Sequence, residues 1–410
     1  MRPYPPGVAP VDASLADAEG IDRFRALRKV RFARPPAVIV GAAGACGLGV
    51  LRSLRAASIP VVLLDTNAAA PAMHSRQAHK VVVRALTGRA LIDDLLALRQ
   101  CFDDAPVLFL TSDEITLTVS QHRAELAGGY RIRLPAHDRL VALMHKASFQ
   151  QLAEKHGFPV PRSVTINSGD DLGALSGLRY PCVIKPTIKT TQYFDGRFER
   201  GYRVGSAEEA HDVCGRVLGA VPGVVVQEWI EGPDSEIHFC LQYRGPRGTV
   251  ASFSGRKLSI WPPDVGMTAS CTAAPEAHAI LHPLTEAFFA KTSFEGMGSM
   301  EFKRDTRTGE FLMIEPTVGR LDWQEEVATL NGVNIPSAAY RHEMGMDAGA
   351  APRVAAPAVW RDAWMHWKSA RGKAAQQHVG RSAKVYGAYW RLNDPMPALY
   401  RVLAGVMAFF

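Results

Sequence analysis

Met300-Glu301-Phe302-Lys303-Arg304-Asp305-Thr306-Arg307-Thr308-Gly309-Glu310-Phe311-Leu312-Met313-Ile314-Glu315-Pro316 sets two glutamates at equal distances from a polar centre that holds a glycine near its tip. Apolar residues alternate with polar ones on both sides of that centre, which is the pattern of a β-hairpin. Folding about Thr308 places residue 301 opposite 315 and residue 302 opposite 314. Both glutamates then share one face, and Phe302 and Ile314 share the other. Opposed carboxylates repel. A divalent cation removes that penalty, and cross-strand Cβ atoms about 4.5–5.5 Å apart suit one or two shared metals. A solvated acidic face is the alternative at this point.

Working outward, Tyr180-Pro181-Cys182-Val183-Ile184-Lys185-Pro186 reads as a strand that ends in a lysine. Lysine is seldom buried unpaired, so its place after three apolar residues is informative. Val224 to Ile230 is another strand-like run, closed by Glu231-Gly232-Pro233-Asp234-Ser235-Glu236, and residues 138–156 read as a helix carrying Lys146. Near the start, Ala37-Val38-Ile39-Val40, the turn Gly41 to Gly49 and Pro60 to Asp65 form a βαβ pattern ending in an acid. Alone it suggests a nicotinamide dinucleotide site and an oxidoreductase. Its glycines, however, follow Gly-x-x-Gly-x-x-Gly, and a lone glycine fingerprint is weak. Val107 to Leu110 adds a strand with Ser112-Asp113-Glu114 at its polar edge.

The 410 residues, 47% of them apolar, suffice for several domains of the α/β class. Six scattered cysteines without a CxxC pair fit a reduced compartment, and the first residues lack a signal-like apolar stretch. A cytoplasmic protein is expected. Residues 351–410 carry nine Lys/Arg against two Asp, which equals the whole net charge of +7 and leaves the body neutral. A second basic run, Arg23 to Arg34, has no nucleic-acid motif beside it, so no nucleic acid is expected.

Taken in order, Lys146, Val183-Ile184-Lys185-Pro186, Val226-Gln227-Glu228-Trp229-Ile230-Glu231-Gly232, Ser235-Glu236, Met300-Glu301-Phe302-Lys303 and Ile314-Glu315 resemble the motifs of the ATP-grasp superfamily, over roughly residues 37–340. The look is that of carboxylate–amine ligases of the D-aspartate ligase-like type. The resemblance implies an α/β fold, α+β in the ATP-grasp part. Its divisions are a basic arm (1–34), a Rossmann-like pre-ATP-grasp domain (35–137), an N-terminal lobe (138–225), a C-terminal lobe with the metal site (226–345) and a basic, tryptophan-rich helical tail (346–410). It implies Lys146 and Lys185 on the phosphates, the linker Gln227, Glu228, Trp229 and Ile230 at the adenine, and Glu236 at the ribose. By the same resemblance Glu301, Glu315 and Thr317 would hold Mg²⁺ or Mn²⁺, and Lys185, Arg256 and Arg320 would assist catalysis. Ser112-Asp113-Glu114 edges the carboxylate pocket, and Asp322 is a candidate for the ammonium of the amine substrate.

The implied reaction activates a small-molecule carboxylate with ATP as an acyl phosphate and joins it to an amine. Two departures stand out. Thr317 occupies the position of a metal-binding asparagine, with Arg320 one residue late. The segment after Lys185 lacks a glycine-rich stretch, so Lys189, Arg197 and Arg200 are candidate replacements for its phosphate contacts. These departures motivate the rival reading of an ATP-binding sensor or scaffold with lost chemistry.

Trp360, Trp364 and Trp367 fall at i, i+4 and i+7 with Arg361, Lys368, Arg371 and Lys373 nearby, a helical spacing. Tryptophan with basic residues suits an anionic membrane surface, so peripheral contact through 351–410 at the inner membrane face is one expectation. Packing back onto the body or a sister subunit, as in a homo-oligomer, is the other.

Overall fold

Runs of β-branched and leucine residues at 37–40, 61–65 and 107–110 are apolar on both faces, as strands covered on two sides must be. The computed structural model describes residues 23–42, 44–187, 198–199, 201–347, 357–371 and 383–407. They fall into two units, 1–131 with 389–410 and 132–388. In the first unit the chain runs β1 (Ala37–Val40), α1 (Ala45–Ala56), β2 (Val61–Asp65), β3 (His79–Val82), α2 (Gly88–Arg99), β4 (Val107–Leu110), α3 (Asp113–Gln121) and α4 (Arg123–Leu126). The strands form a parallel sheet in the order β3-β2-β1-β4, with β1, β2 and β4 buried throughout.

The glycine-rich turn after β1 is filled by its own chain. Gly41 has φ +100°, and a Cβ there would lie 2.1 Å from Thr111 Oγ1; a Cβ on Gly47 would lie 2.3 Å from the Gly41 carbonyl. Asp65 is 2% exposed and accepts from the Ala42 N–H (2.6 Å) and the Asn67 N–H (2.8 Å). The acid that a dinucleotide site turns toward the ribose is here committed to the backbone, which argues against the nicotinamide reading. Ser112 caps α3 by accepting from the Ile115 N–H, and Asp113 and Glu114 lie in its first turn, where negative charge is favoured. The last helix of the chain, Met396–Met407, also belongs to this unit. Arg52 donates to the Tyr389 carbonyl (2.8 Å), Ser75 to the fully buried Asp394 (2.8 Å), and His74 stacks on Tyr400.

The second unit contains α5 (His137–Met144), α6 (Lys146–Lys155), β5 (Ser163–Ile166), β6 (Cys182–Pro186), β7 (Tyr202–Val204), α7 (Ala207–Val217) and β8 (Val224–Glu228). It continues through β9 (Ile237–Gly245), β10 (Gly248–Trp261), β11 (Met267–Ala273), α8 (Pro275–Lys291), β12 (Gly296–Arg304), β13 (Phe311–Val318), α9 (Glu326–Leu330) and α10 (Ile335–Glu343). It ends with β14 (Ala358–Arg361), α11 (Ala363–Arg371) and β15 (Lys384–Gly387). A small antiparallel sheet, β5-β8-β6-β7, packs against α7. That helix starts at Ser206, which accepts from the Glu209 N–H, and buries Ala210, Val213, Cys214 and Val217, one helical face.

The large sheet runs β13-β12-β9-β10-β11-β14-β15. The hairpin β12–β13 pairs Glu301 with Glu315, as read from the sequence, but the partner of Phe302 is Met313. Ile314 is the extra residue of a bulge, which the mirror symmetry of the sequence does not reveal.

The tail is not one basic helix. Trp360 lies in β14, 1% exposed, and pairs with Cys271 and Tyr386, while Asp362 accepts from the N–H groups of Trp364 and Met365 to start α11 after it. The three tryptophans therefore do not share a helical face.

Candidate active site

The hairpin fixes the site. Glu301 and Glu315 face each other across β12 and β13, and each meets a lysine from another element. Lys146 Nζ donates to Glu315 Oε2 at 2.8 Å, and Lys257 Nζ donates to Glu301 Oε2 at 2.5 Å. Lys146 is the first residue of α6, a place where positive charge opposes the helix dipole. Glu315 offsets that cost, so the lysine is held where helix formation alone would not put it. Lys257, on β10, is 5% exposed. Like Glu301, it falls on the face shared with Phe239 and Gly255, because 255 and 257 alternate to one side and Gly255 and Glu301 both pair with Phe239. The opposed carboxylates thus have counter-charges before any cation arrives.

Lys185, near the end of β6 in the small sheet, is close enough to feel the charges of all four groups. Burial pulls its ammonium below the ordinary lysine range and Lys146 and Lys257 push the same way, against Glu315 and Glu301. Burial also raises the Glu301 carboxyl, helped by Glu315 and Asp322 and opposed by Lys257. For Lys257, burial pulls down, but Glu301, Asp322 and Glu315 outweigh it and the net direction is up. Three lysines (Lys146, Lys185 and Lys257) and three carboxylates (Glu301, Glu315 and Asp322) thus interact with no net formal charge, supplied by both sheets, α6 and the turn after β13.

The two glutamates offer hard oxygen donors, and Mg²⁺ is commonly held by one or two carboxylates plus substrate phosphates. Among the described residues no group of three or more His, Cys, Asp or Glu is placed to hold a metal. The Thr317 hydroxyl donates to Asp322 Oδ1 at 2.6 Å, so only its lone pairs are left for a cation.

The linker residues have mixed roles. Gln227 is buried, with its amide nitrogen 3.5 Å from the Gln150 amide oxygen. Glu228 is held by the backbone N–H (2.9 Å) and guanidinium (3.2 Å) of Arg179. The N–H groups of Glu228 and Trp229 donate to the carbonyls of Arg162 and Pro181. Ile230 has no such backbone partner among the described residues and is 5% exposed. The indole of Trp229 carries the Lys303 ammonium at 4.4 Å and the Arg203 guanidinium at 4.6 Å from the ring centroid, both attractive. Glu236 lies 3.8 Å from Arg304, and its carbonyl is 2.9 Å from His238 Nδ1.

Arg256 is not brought to the cluster. It pairs with His238 and Thr272 and falls on the opposite pleat from Lys257. On that side Ser254 meets His278 of α8 at 2.9 Å. Arg320 donates to the Leu321 carbonyl at 3.1 Å in the turn after β13. Lys189, Arg197 and Arg200 lie outside the described residues.

Lys257 is the residue that sequence reading passed over in favour of its neighbour. Adjacent Arg and Lys in one strand must face opposite sides, and only the register with Phe239 says which faces inward.

No family model matches this chain, and no curated protein matches it. Solved structures do. N5-carboxyaminoimidazole synthetase from Staphylococcus aureus, complexed with ADP, superposes with a TM-score of 0.61 at 14% identity, covering 81% of this chain and 82% of that one. The biotin carboxylase domain of Hydrogenobacter thermophilus 2-oxoglutarate carboxylase, with MgADP and bicarbonate, gives 0.60 at 15% identity, over 79% and 73%. Carboxyaminoimidazole ribonucleotide synthase from Aspergillus clavatus, complexed with ATP, gives 0.59 at 14% identity, over 86% and 90%. At these identities the likeness establishes the architecture.

Proposed function

We propose that this chain, whose fold is that of the ATP-grasp superfamily, is an ATP- and Mg²⁺-dependent ligase that activates a carboxylate as an acyl phosphate and joins it to an amine. The observation that carries the reading is the pair Glu301–Glu315, each glutamate held by a lysine from a separate element, with Lys185 of the small sheet electrostatically coupled to both. A set of exchangeable ion pairs is what a polyanion with a divalent cation needs: the lysines turn to phosphate and the carboxylates to metal. A fold shared with enzymes crystallised with ADP, MgADP and ATP supports it.

In this reading Lys146 and Lys185 bind the phosphates, Ile230 offers its backbone to the adenine, and Glu236 takes the ribose hydroxyls. Glu301 and Glu315 would hold Mg²⁺, which when bound neutralises phosphate charge. The substrate carboxylate oxygen attacks the γ-phosphorus, the bond to the β,γ-bridging oxygen breaks, and ADP leaves. Lys185, desolvated and cationic, stabilises charge on the transferring phosphoryl oxygens. The amine, once its ammonium proton has passed to solvent, attacks the acyl carbon through the nitrogen lone pair; the carbon–oxygen bond to phosphate breaks, a second nitrogen proton passes to the departing phosphate, and amide and phosphate result. Until the cation takes its place, Lys257 holds Glu301 ionised.

The test is phosphate release from ATP and Mg²⁺ against a panel of amino acids and small carboxylates. Release that depends on a carboxylate, rises with an amine and disappears in Glu315→Ala supports the ligase. ATP binding without turnover on any pair favours the sensor reading, and absence of ATP binding rejects both.

No helix among the described residues is long and apolar enough to cross a membrane. A peripheral contact is a separate proposal, favoured by α11. Trp364 and Trp367 are 46% and 48% exposed, with Lys368 and Arg371 against their rings. Such a face suits an anionic lipid surface. Equal co-sedimentation of the native chain and the double variant Trp364→Ala/Trp367→Ala with phosphatidylserine vesicles rejects it.

A further inference from the structure

One row beyond the two glutamates, Ser299 of β12 pairs with Thr317 of β13. Alternation puts this pair on the same face as Glu301 and Glu315, one side-chain repeat (about 7 Å) along the strands. Gly319, at φ +76°, lets the chain turn back after β13, and the turn is held by its N–H to the Met297 carbonyl (2.8 Å). The turn returns Asp322 onto that row. The Ser299 hydroxyl donates to Asp322 Oδ2 at 2.8 Å and the Thr317 hydroxyl to Oδ1 at 2.6 Å.

Asp322 therefore differs from its neighbours. Glu301 and Glu315 each touch an ammonium, whereas among the described residues Asp322 meets no Lys, Arg or His nitrogen within ion-pair distance. Two neutral hydroxyls occupy one lone pair on each of its oxygens and fix the plane of the carboxylate. The remaining lone pairs stay available. The threonine that departs from the family's asparagine thus has a partner: its hydroxyl orients a carboxylate.

We infer that Asp322 is the specificity residue for the amine substrate, selecting one that arrives as a primary ammonium and holding that group one strand repeat from the phosphate site. The inference rests on the ligase reading above. The ammonium supplies the direct ion-pair contact that Asp322 lacks among the described residues, and its three N–H donors match the open acceptors of a carboxylate whose plane is set. Ser299 and Thr317 act as positioning residues, through Asp322.

The experiment uses hydroxylamine, uncharged at neutral pH, to trap the acyl phosphate as a hydroxamate in the full chain with ATP and Mg²⁺. Amino acids supply the carboxylate panel. Methylammonium, glycine and 1,3-diaminopropane are then added as competing amines. In the wild type an accepted ammonium suppresses hydroxamate. In Asp322→Asn that competition weakens by about 10- to 100-fold beyond any change in hydroxamate formation itself, the cost of losing a charged hydrogen bond. Thr317→Val, which keeps the charge and removes one donor, shows a smaller loss in the same direction and serves if Asp322→Asn fails to fold. Equal competition in variant and wild type overturns the inference. So does parallel loss of hydroxamate and competition, which would put Asp322 in the phosphate machinery, and so does suppression by no amine of the panel. Absence of hydroxamate in the wild type on every carboxylate rejects the ligase reading itself.

Discussion

Asp65 in the first unit and the Glu301–Glu315 pair in the second are both carboxylates beside a motif that attracts attention, and they are satisfied in opposite ways. Asp65 accepts from two backbone N–H groups within three residues of the turns it joins. Those donors cannot leave without unfolding the turn. Glu301 and Glu315 are met by the ends of long, flexible lysine side chains from β10 and α6. Those partners can rotate to a phosphate and free the carboxylates for a cation. A motif whose polar groups are closed by backbone is architecture; one closed by exchangeable charges is ready for a ligand. On the proposed function, the difference puts the glycine-rich turn, the more familiar signal, on the side of architecture.

The largest expected effect separates the two kinds of carboxylate directly. Glu315→Gln lowers carboxylate-dependent phosphate release by about three orders of magnitude, since it removes a charge that positions the cation and phosphates. Its melting temperature stays within a few degrees of wild type, because Lys146 and Glu315 are both partly exposed (26% and 45%) and such pairs contribute little. A fall in melting temperature as large as the fall in rate would make Glu315 structural, like Asp65, and erase the distinction.

Next in size is Lys257→Met. Lys257 is buried and Glu301 is 24% exposed, so removing the ammonium leaves a carboxylate largely out of water, at about 3 kcal/mol. The sign with pH follows from Glu301. Its carboxyl, already raised by burial, rises further without Lys257. The destabilisation is full where Glu301 is ionised and shrinks as falling pH protonates it. Urea titrations at several pH values check this, and Lys257→Met/Glu301→Gln should recover most of the loss. A penalty independent of pH would mean that Lys257 acts by packing alone.

Asp65→Ala comes third, at about 1–3 kcal/mol, the cost of stranding buried N–H donors. Its affinity for ATP by calorimetry should match wild type. A variant that keeps its stability but loses nucleotide affinity would return the glycine-rich turn to the functional side.

The ordered lysines and glutamates were legible from sequence because their chemistry constrains both residue type and order. The hairpin pairing of Glu301 with Glu315 followed from alternation, but the bulge at Ile314 did not, since one extra residue leaves no compositional mark. Lys257 was hidden beside Arg256 because facing depends on strand register, a long-range property. Trp360 was misplaced because its spacing to Trp364 and Trp367 fits a helix, whereas β11 recruits it into the sheet and Asp362 delays the helix start. The Asp322 clamp depends on the return of the chain at Gly319, and a glycine alone does not say where it aims the residue three positions on.

The smallest effect tests the exchangeable partners with a proton. Lys185 is drawn below the usual lysine range by burial, then by Lys146 and Lys257. Bound phosphate favours its ammonium, so binding ATP raises the group again and takes up a proton wherever the free protein has lost it. Affinity for ATP must therefore fall as pH rises through the depressed range, below the ordinary value of 10.5, by at most about tenfold per pH unit for one proton. Lys185→Arg keeps its charge throughout that range and should flatten the profile, even with weaker binding from the altered fork geometry. Calorimetry in two buffers of different ionisation enthalpy detects the proton directly. A flat profile in the wild type would mean that Lys185 is fully charged before ATP arrives, and that the lysines meet the nucleotide as a fixed cradle rather than as partners that change state.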